Sequence, residues 1–262
     1  MRPVLSASKV RGVSVYRGKL ESEGHKWPTS AGEVGRRHNT FGGGTLRAGV
    51  FGVNDGLVSN TCLVMGVAGA AVEPSVLVLT GVAGLLAGAF SMAAGEYVSM
   101  LSQKEMFEHQ IAQEKDELER YPAEEAEELA LIYATRGIPL KEARHVAAHL
   151  IANPDKALDT LAGEELGLNP DDLGSPTGAA LSSFIAFSIG ASLPIIPFLL
   201  KLPNDILVAA ALSGAALFVV GAVLSLFSGR SALLGGARML LIGSAAAVAT
   251  YFIGSLFNVS GI

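Results

Sequence analysis

Five apolar stretches restrict what this chain can fold into. They cover roughly residues 47–70, 76–99, 178–200, 205–227 and 236–257, and each is close to the ~20 residues that a helix needs to cross a bilayer. The mean hydropathy is +0.44 and only 16% of the residues are charged, whereas about a quarter are charged in a typical soluble domain. The sequence therefore predicts an all-α, polytopic membrane protein with five transmembrane helices.

Lys and Arg residues set the expected orientation. Residues 1–45 contain several of them and lack the apolar core of a secretory signal. We expect this segment to be a disordered tail, and its basic character places the N-terminus in the cytoplasm. The absence of a recognisable targeting segment favours a multi-pass protein of the bacterial plasma membrane.

The predicted organisation has four parts. After the tail, residues 46–100 form transmembrane helices one and two, residues 101–176 form a cytoplasmic acidic domain, and residues 177–258 form transmembrane helices three to five. The cytoplasmic segment holds 17 acidic and 7 basic residues, a net charge of −10. Pro and Gly breaks divide it into helices that end near Tyr121, Gly137, Asn153 and Gly167. The first of these helices continues the second membrane span.

Polar side chains inside the first two apolar stretches are candidates for a pathway through the membrane. Asp55 and Met92 each lie about eight residues from the cytoplasmic end of their helix, so both are expected ~12 Å deep. A carboxylate at that depth is costly and therefore indicates function. Together with a thioether it suits a divalent transition metal. Glu96, one turn nearer the cytoplasm, is a candidate entrance ligand or proton acceptor.

Two Glu-x-x-Glu pairs, Glu114 with Glu117 and Glu125 with Glu128, flank the break at Tyr121-Pro122. This spacing puts both carboxylates of a pair on one helix face, and the break lets the two pairs face each other. Converging carboxylates suit hard or borderline divalent ions such as Fe2+, Mn2+ or Mg2+. The spacing alone is also typical of a solvated acidic face without metal.

Other chemistries find little support. The sequence has no phosphate-binding loop, no nucleophile triad, no clustered basic surface for nucleic acid and a single cysteine, Cys62. We therefore expect no enzyme activity, no organic cofactor and no nucleic-acid partner, and any transport to be driven by an ion gradient. Glu142, His145 and His149 leave open a membrane-tethered iron storage or ferroxidase-like protein. A structural membrane protein whose acidic domain binds a partner also remains possible.

Several of these motifs together resemble the vacuolar iron transporter family. The matching stretches are the two Glu pairs and three segments, Gly52–Ser59 (GVNDGLVS), Ser91–Ser99 (SMAAGEYVS) and Glu164–Leu168 (EELGL). The resemblance covers about residues 45–258. It implies a homodimer with five membrane helices in each subunit and a cytoplasmic helical metal-binding domain between helices two and three. It also implies exchange of Fe2+ for protons.

The resemblance also assigns roles by motif. Asp55 and Met92 resemble the family's translocation ligands, and five glutamates resemble its cytoplasmic metal ligands: Glu114, Glu117, Glu125, Glu128 and Glu165. Some plant members have two Met where this chain has Leu161 and Ala162, which shifts the expected preference towards Mn2+. The hypothesis is a transporter that exports Fe2+ or Mn2+ from the cytoplasm in exchange for protons.

Overall fold

Helices make up the regular structure of the computed structural model, which describes residues 44–170 and 173–257. Within these ranges there are nine helices and no strand. In chain order they are α1 (Gly44–Gly69), α2 (Pro74–Arg120), α3 (Pro122–Thr135), α4 (Leu140–Ile151), α5 (Pro154–Glu164), α6 (Pro176–Ser192), α7 (Ile196–Leu199), α8 (Asp205–Phe227) and α9 (Ala232–Leu256). The all-α prediction is confirmed for this part of the chain. The predicted tail lies outside it, except for residues 44–45, which belong to α1.

Four of the described helices, α1, α2, α8 and α9, are long and apolar enough to cross a membrane. The predicted span at 178–200 is divided, because α6 ends at Ser192 and only the short α7 follows. Pro194 and Pro197 cause the division, since proline has no N–H for the helical ladder. The described residues therefore contain four helices that are candidate spans by length and composition, and the prediction of five stays a prediction.

Helix α1 lies at the centre of the apolar bundle and contacts α2, α6, α8 and α9. Its closest neighbour is α6, and small residues make that approach possible. A β-carbon on Gly56 would collide with the backbone carbonyl of Phe187, and one on Gly190 would collide with the carbonyl of Val53. Close backbone contact is how helices associate where lipid supplies no hydrophobic drive.

The acidic segment folds into a helical unit with its own small apolar core. Leu129 and Ala130 of α3 pack against Ala143 and Ala147 of α4 and against Leu161 of α5. Helix α2 continues without interruption from the membrane stretch into this unit, as the sequence predicted. One helix therefore carries both Met92 and Glu114.

The approach of α1 to α6 can be tested with a glycine substitution. We expect Gly56→Leu to destabilise the protein by ~1–3 kcal/mol or more, because the side chain must displace the α6 backbone. Gly95→Leu on α2 is the matched control, since a β-carbon there meets no atom within 4 Å. Thermal unfolding in detergent compares the two, and equal melting temperatures would contradict the packing described.

Candidate metal sites

Three carboxylates from three separate parts of the acidic unit meet at one place. Glu114 lies on α2, Glu125 on the first turn of α3, and Glu165 directly after α5. One oxygen atom of each lies within 4.8 Å of the others. The chain reverses at Tyr121-Pro122, where α2 ends and α3 begins, and this reversal brings Glu125 back beside Glu114. We call these three residues the carboxylate cluster.

Two side chains of the carboxylate cluster are buried, the third, Glu165, is half-buried, and the hydrogen bonding of all three is incomplete. Glu114 and Glu125 are only 5% and 4% exposed. One oxygen of each of the three glutamates has no hydrogen-bond partner among the described residues. Buried, unpaired carboxylates are costly unless a proton or a cation compensates their charge. The arrangement therefore suits either shared protons or a divalent cation.

Burial and mutual repulsion shift the titration of all three groups. Burial, followed by the charge of Glu114, raises the pKa of Glu125 to about 7. Burial, followed by the charge of Glu125, raises the pKa of Glu165 to about 7. The pKa of Glu114 is also raised, first by burial and then by the charge of Glu165. Near neutral pH the cluster thus holds protons that an arriving cation would displace.

The remaining members of the two Glu pairs, Glu117 and Glu128, lie at the edge of the carboxylate cluster. Both are exposed, and neither supplies one of the three closely spaced oxygens. Their negative charges nevertheless contribute to the raised pKa values of Glu125 and Glu165. They are therefore close enough to attract a cation towards the buried group.

A second candidate site lies between α1, α2 and α6 within the apolar bundle. Asp55 and Met92 line one cavity of about 410 Å3. The other polar lining residues are Ser59, Asn60 and Ser91. The structure thus brings together the carboxylate and the thioether that depth counting had placed at the same level. Asp55 is exposed on the surface of the single chain.

Glu96 occupies a different position from the other two pathway candidates. It does not line the cavity with Asp55 and Met92. Its Oε1 lies 4.0 Å from Nη2 of Arg47, near the start of α1. Because α2 is continuous, Glu96 lies on the helix between Met92 and Glu114. The Arg47–Glu96 pair joins α1 to α2 on the side of the cavity nearer the acidic unit.

Sequence reasoning missed Asn60, which is buried on the cavity wall. The signal was present in the sequence, since Asn60 is a polar amide inside an apolar stretch.

The storage alternative was based on three residues of α4, namely Glu142, His145 and His149. All three are exposed and take no part in the carboxylate cluster.

Comparison with known proteins adds an independent result. A model of the VIT family matches residues 46–255. The chain is 37% identical to a vacuolar iron transporter of Acanthamoeba castellanii, with 85% of this chain and 83% of that protein covered. It is 32% identical to vacuolar iron transporter 1 of Arabidopsis thaliana (80% and 84% covered) and 30% identical to vacuolar iron transporter 1 of Oryza sativa subsp. japonica (82% and 86% covered).

The raised pKa values predict an unusual dependence of stability on pH. Glu125 and Glu165 keep protons up to a pKa of about 7 when folded, against an ordinary value of 4.5. The folded protein therefore binds more protons than the unfolded chain between these values. Its free energy of unfolding should fall as the pH rises from about 4.5 to about 7 when no metal is bound.

Thermal unfolding of the protein with a chelator in detergent, between pH 5 and pH 8, measures this dependence. Glu125→Gln should flatten the slope and raise the melting temperature at pH 8, because it removes one buried charge. Glu124→Gln, a change at the exposed neighbour, should preserve the wild-type slope. Parallel slopes for wild type and Glu125→Gln would contradict the burial of an ionisable group at this position.

Proposed function

The chain belongs to the VIT family, and on that premise we propose that it moves a divalent metal ion, Fe2+ or Mn2+, out of the cytoplasm in exchange for protons. The observation that carries the proposal is the cavity that Asp55 and Met92 share among helices apolar enough to cross a membrane. A carboxylate and a thioether offer one hard and one soft donor to an ion of intermediate character. Transport, rather than catalysis, is the proposed activity, and no organic cofactor is required.

The metal would first bind at the carboxylate cluster. Glu114, Glu125 and Glu165 supply the converging oxygens, and Glu117 and Glu128 add negative charge at the edge. Carboxylates must be ionised to bind metal, so each ion that arrives releases protons. The oxygen-only donor set favours Mn2+ and Fe2+ over softer ions. The metal here is cargo, collected from the cytoplasm before it enters the membrane.

Helix α2 then gives the order of the sites. Glu114, Glu96 and Met92 follow one another along it, and at ~1.5 Å per residue the first and last are ~33 Å apart. The Arg47–Glu96 ion pair lies between them in this order. We propose that Glu96 releases Arg47 and binds the metal ion as it passes. We further propose that Asp55 alternately holds a metal ion and a proton.

The proposed assembly is a homodimer with five spans in each subunit and a cytoplasmic N-terminus. The exposure of Asp55 on the outer surface of the bundle supports the dimer. A carboxylate facing lipid costs ~3 kcal/mol on insertion scales. A second copy packed against α1 and α2 would enclose Asp55, and exposed Phe51 and Phe90 supply apolar surface there. The bacterial plasma membrane stays a prediction made from the sequence.

Flux measurements test the transport proposal. In proteoliposomes carrying an internal pH dye, the wild-type protein should admit Fe2+ or Mn2+ while protons leave. Asp55→Ala should abolish both signals, because it removes the one carboxylate among the described residues that line the cavity. Glu73→Ala is the matched control, since Glu73 is an exposed acidic residue in the turn between α1 and α2. Absence of flux in folded wild-type protein would favour the membrane-tethered storage alternative.

Binding measurements test the carboxylate cluster separately. We expect Glu125→Gln to weaken Mn2+ binding ~10-fold or more, because it removes one of three converging oxygens. Equilibrium dialysis of the full-length protein in detergent gives the affinity, and the proton release on binding should fall in the same variant. Glu124→Gln should bind like wild type. Unchanged binding by Glu125→Gln would remove the cluster from the proposal.

A further inference from the structure

Asn60 is a buried polar residue of the bundle that has no role in the proposed ion path. It lies on α1 about one and a half helical turns beyond Asp55, and it lines the same cavity as Asp55 and Met92. Its side chain is 2% exposed. A buried amide in an apolar bundle needs partners for both its nitrogen and its oxygen, so its hydrogen bonds reveal what the residue is arranged to do.

The amide nitrogen of Asn60 is fully engaged. Nδ2 donates to the backbone carbonyl of Gly81 at 3.2 Å and to that of Ala191 at 2.6 Å. The carbonyl of Ala191 is available because the helix breaks at Pro194, and the N–H of Ile195 bonds to Ser192 instead. A rotated amide would turn its oxygen towards two carbonyl oxygens, so these contacts fix the orientation of the side chain.

The amide oxygen, by contrast, has no partner. Oδ1 of Asn60 is buried without a donor among the described residues. It points towards Gly84, another residue of the cavity wall, and a β-carbon on Gly84 would lie 2.7 Å from it. The two donor contacts therefore hold an unpaired acceptor beside Gly84, which has no side chain of its own and is flanked there by the side chain of Leu63.

We propose that Oδ1 of Asn60 is a third ligand for the metal ion in this cavity, beside the Asp55 carboxylate and the Met92 thioether. The inference rests on the proposed function and adds a basis for selectivity. A second oxygen makes the donor set harder, which favours Mn2+ and Fe2+ over Cd2+. Being neutral, the amide also adds no charge that would have to be neutralised when the ion leaves.

Metal affinity at the cavity, measured without transport, tests this assignment. The background is the full-length protein with Glu114, Glu125 and Glu165 each changed to Gln, so that the cytoplasmic cluster does not bind. Equilibrium dialysis in detergent gives the dissociation constants of Mn2+ and Cd2+. Asn60→Leu should weaken Mn2+ binding ~10-fold or more and Cd2+ binding much less, which lowers the preference for Mn2+. Asn60→Asp, which keeps an oxygen at this place, should retain that preference.

The ratio of the two affinities does not depend on the folded fraction, so a general loss of stability in Asn60→Leu does not imitate the expected result. Thr61→Val is the matched control, because Thr61 is also buried with an unpartnered oxygen but lines a different cavity. It should leave the ratio unchanged. An unchanged ratio in Asn60→Leu would show that Asn60 only connects the helices through hydrogen bonds. A background protein that binds neither ion would overturn the ligand assignment.

Proteoliposome flux keeps the two proposals apart. Mn2+ binding that depends on Asn60, without flux in the wild type, would overturn transport and leave the ligand standing. Flux together with an Asn60-independent affinity ratio would overturn the ligand and leave transport standing.

Discussion

The cost of leaving a polar group unpaired in an apolar environment governs where this chain places its functional side chains. Lipid offers no hydrogen bonds, so a polar residue in a membrane bundle must lie between helices or face a cavity. Helix α1 is surrounded by α2, α6, α8 and α9, and Asp55 and Asn60 both lie on it. A helix that packs against four others in the apolar bundle thus carries two of the polar candidates. Its small residues contribute indirectly, because they bring the neighbouring backbones close enough to accept hydrogen bonds.

The same cost operates in the acidic unit with a different outcome. Glu114 and Glu125 are as well buried as Met65 and Met100, yet one oxygen of each has no partner among the described residues. The apolar contacts of Leu129, Ala147 and Leu161 hold the helices together around them. The apolar contacts of the acidic unit therefore offset the repulsion between its carboxylates. Protons or a bound cation reduce that repulsion.

The sequence predicted much of this arrangement because the relevant signals are local. Apolar length identified the four helices that are long and apolar enough to cross a membrane, and Pro and Gly marked the breaks. Helical depth placed Asp55 and Met92 at one level, and the structure gives them a common cavity. The carboxylate cluster was only partly accessible to such reasoning. Spacing pointed to Glu114 and Glu125, but equally to Glu117 and Glu128, which are exposed. Burial depends on how α3 and α5 pack against α2, and a one-dimensional pattern does not contain that information.

Asn60 shows the same limit more sharply. Its side-chain nitrogen donates to the carbonyl of Ala191 on α6, which lies 131 residues further along the chain. That carbonyl is free because Pro194 breaks the helix. Pro194 and Pro197 account for the division of the span at 178–200, but they do not indicate which side chain bonds the carbonyl that the break leaves free. Long-range hydrogen bonds of this kind follow from the packed structure alone.

The uninterrupted course of α2 has a mechanical consequence. The stretch from Met92 to Glu114 is a rod of ~33 Å, so tilting it by ~5° about its membrane end swings the other end through ~3 Å. Because α3 and α5 pack against α2, such a tilt would move the carboxylate cluster as a unit relative to α1 and α6, which line the cavity.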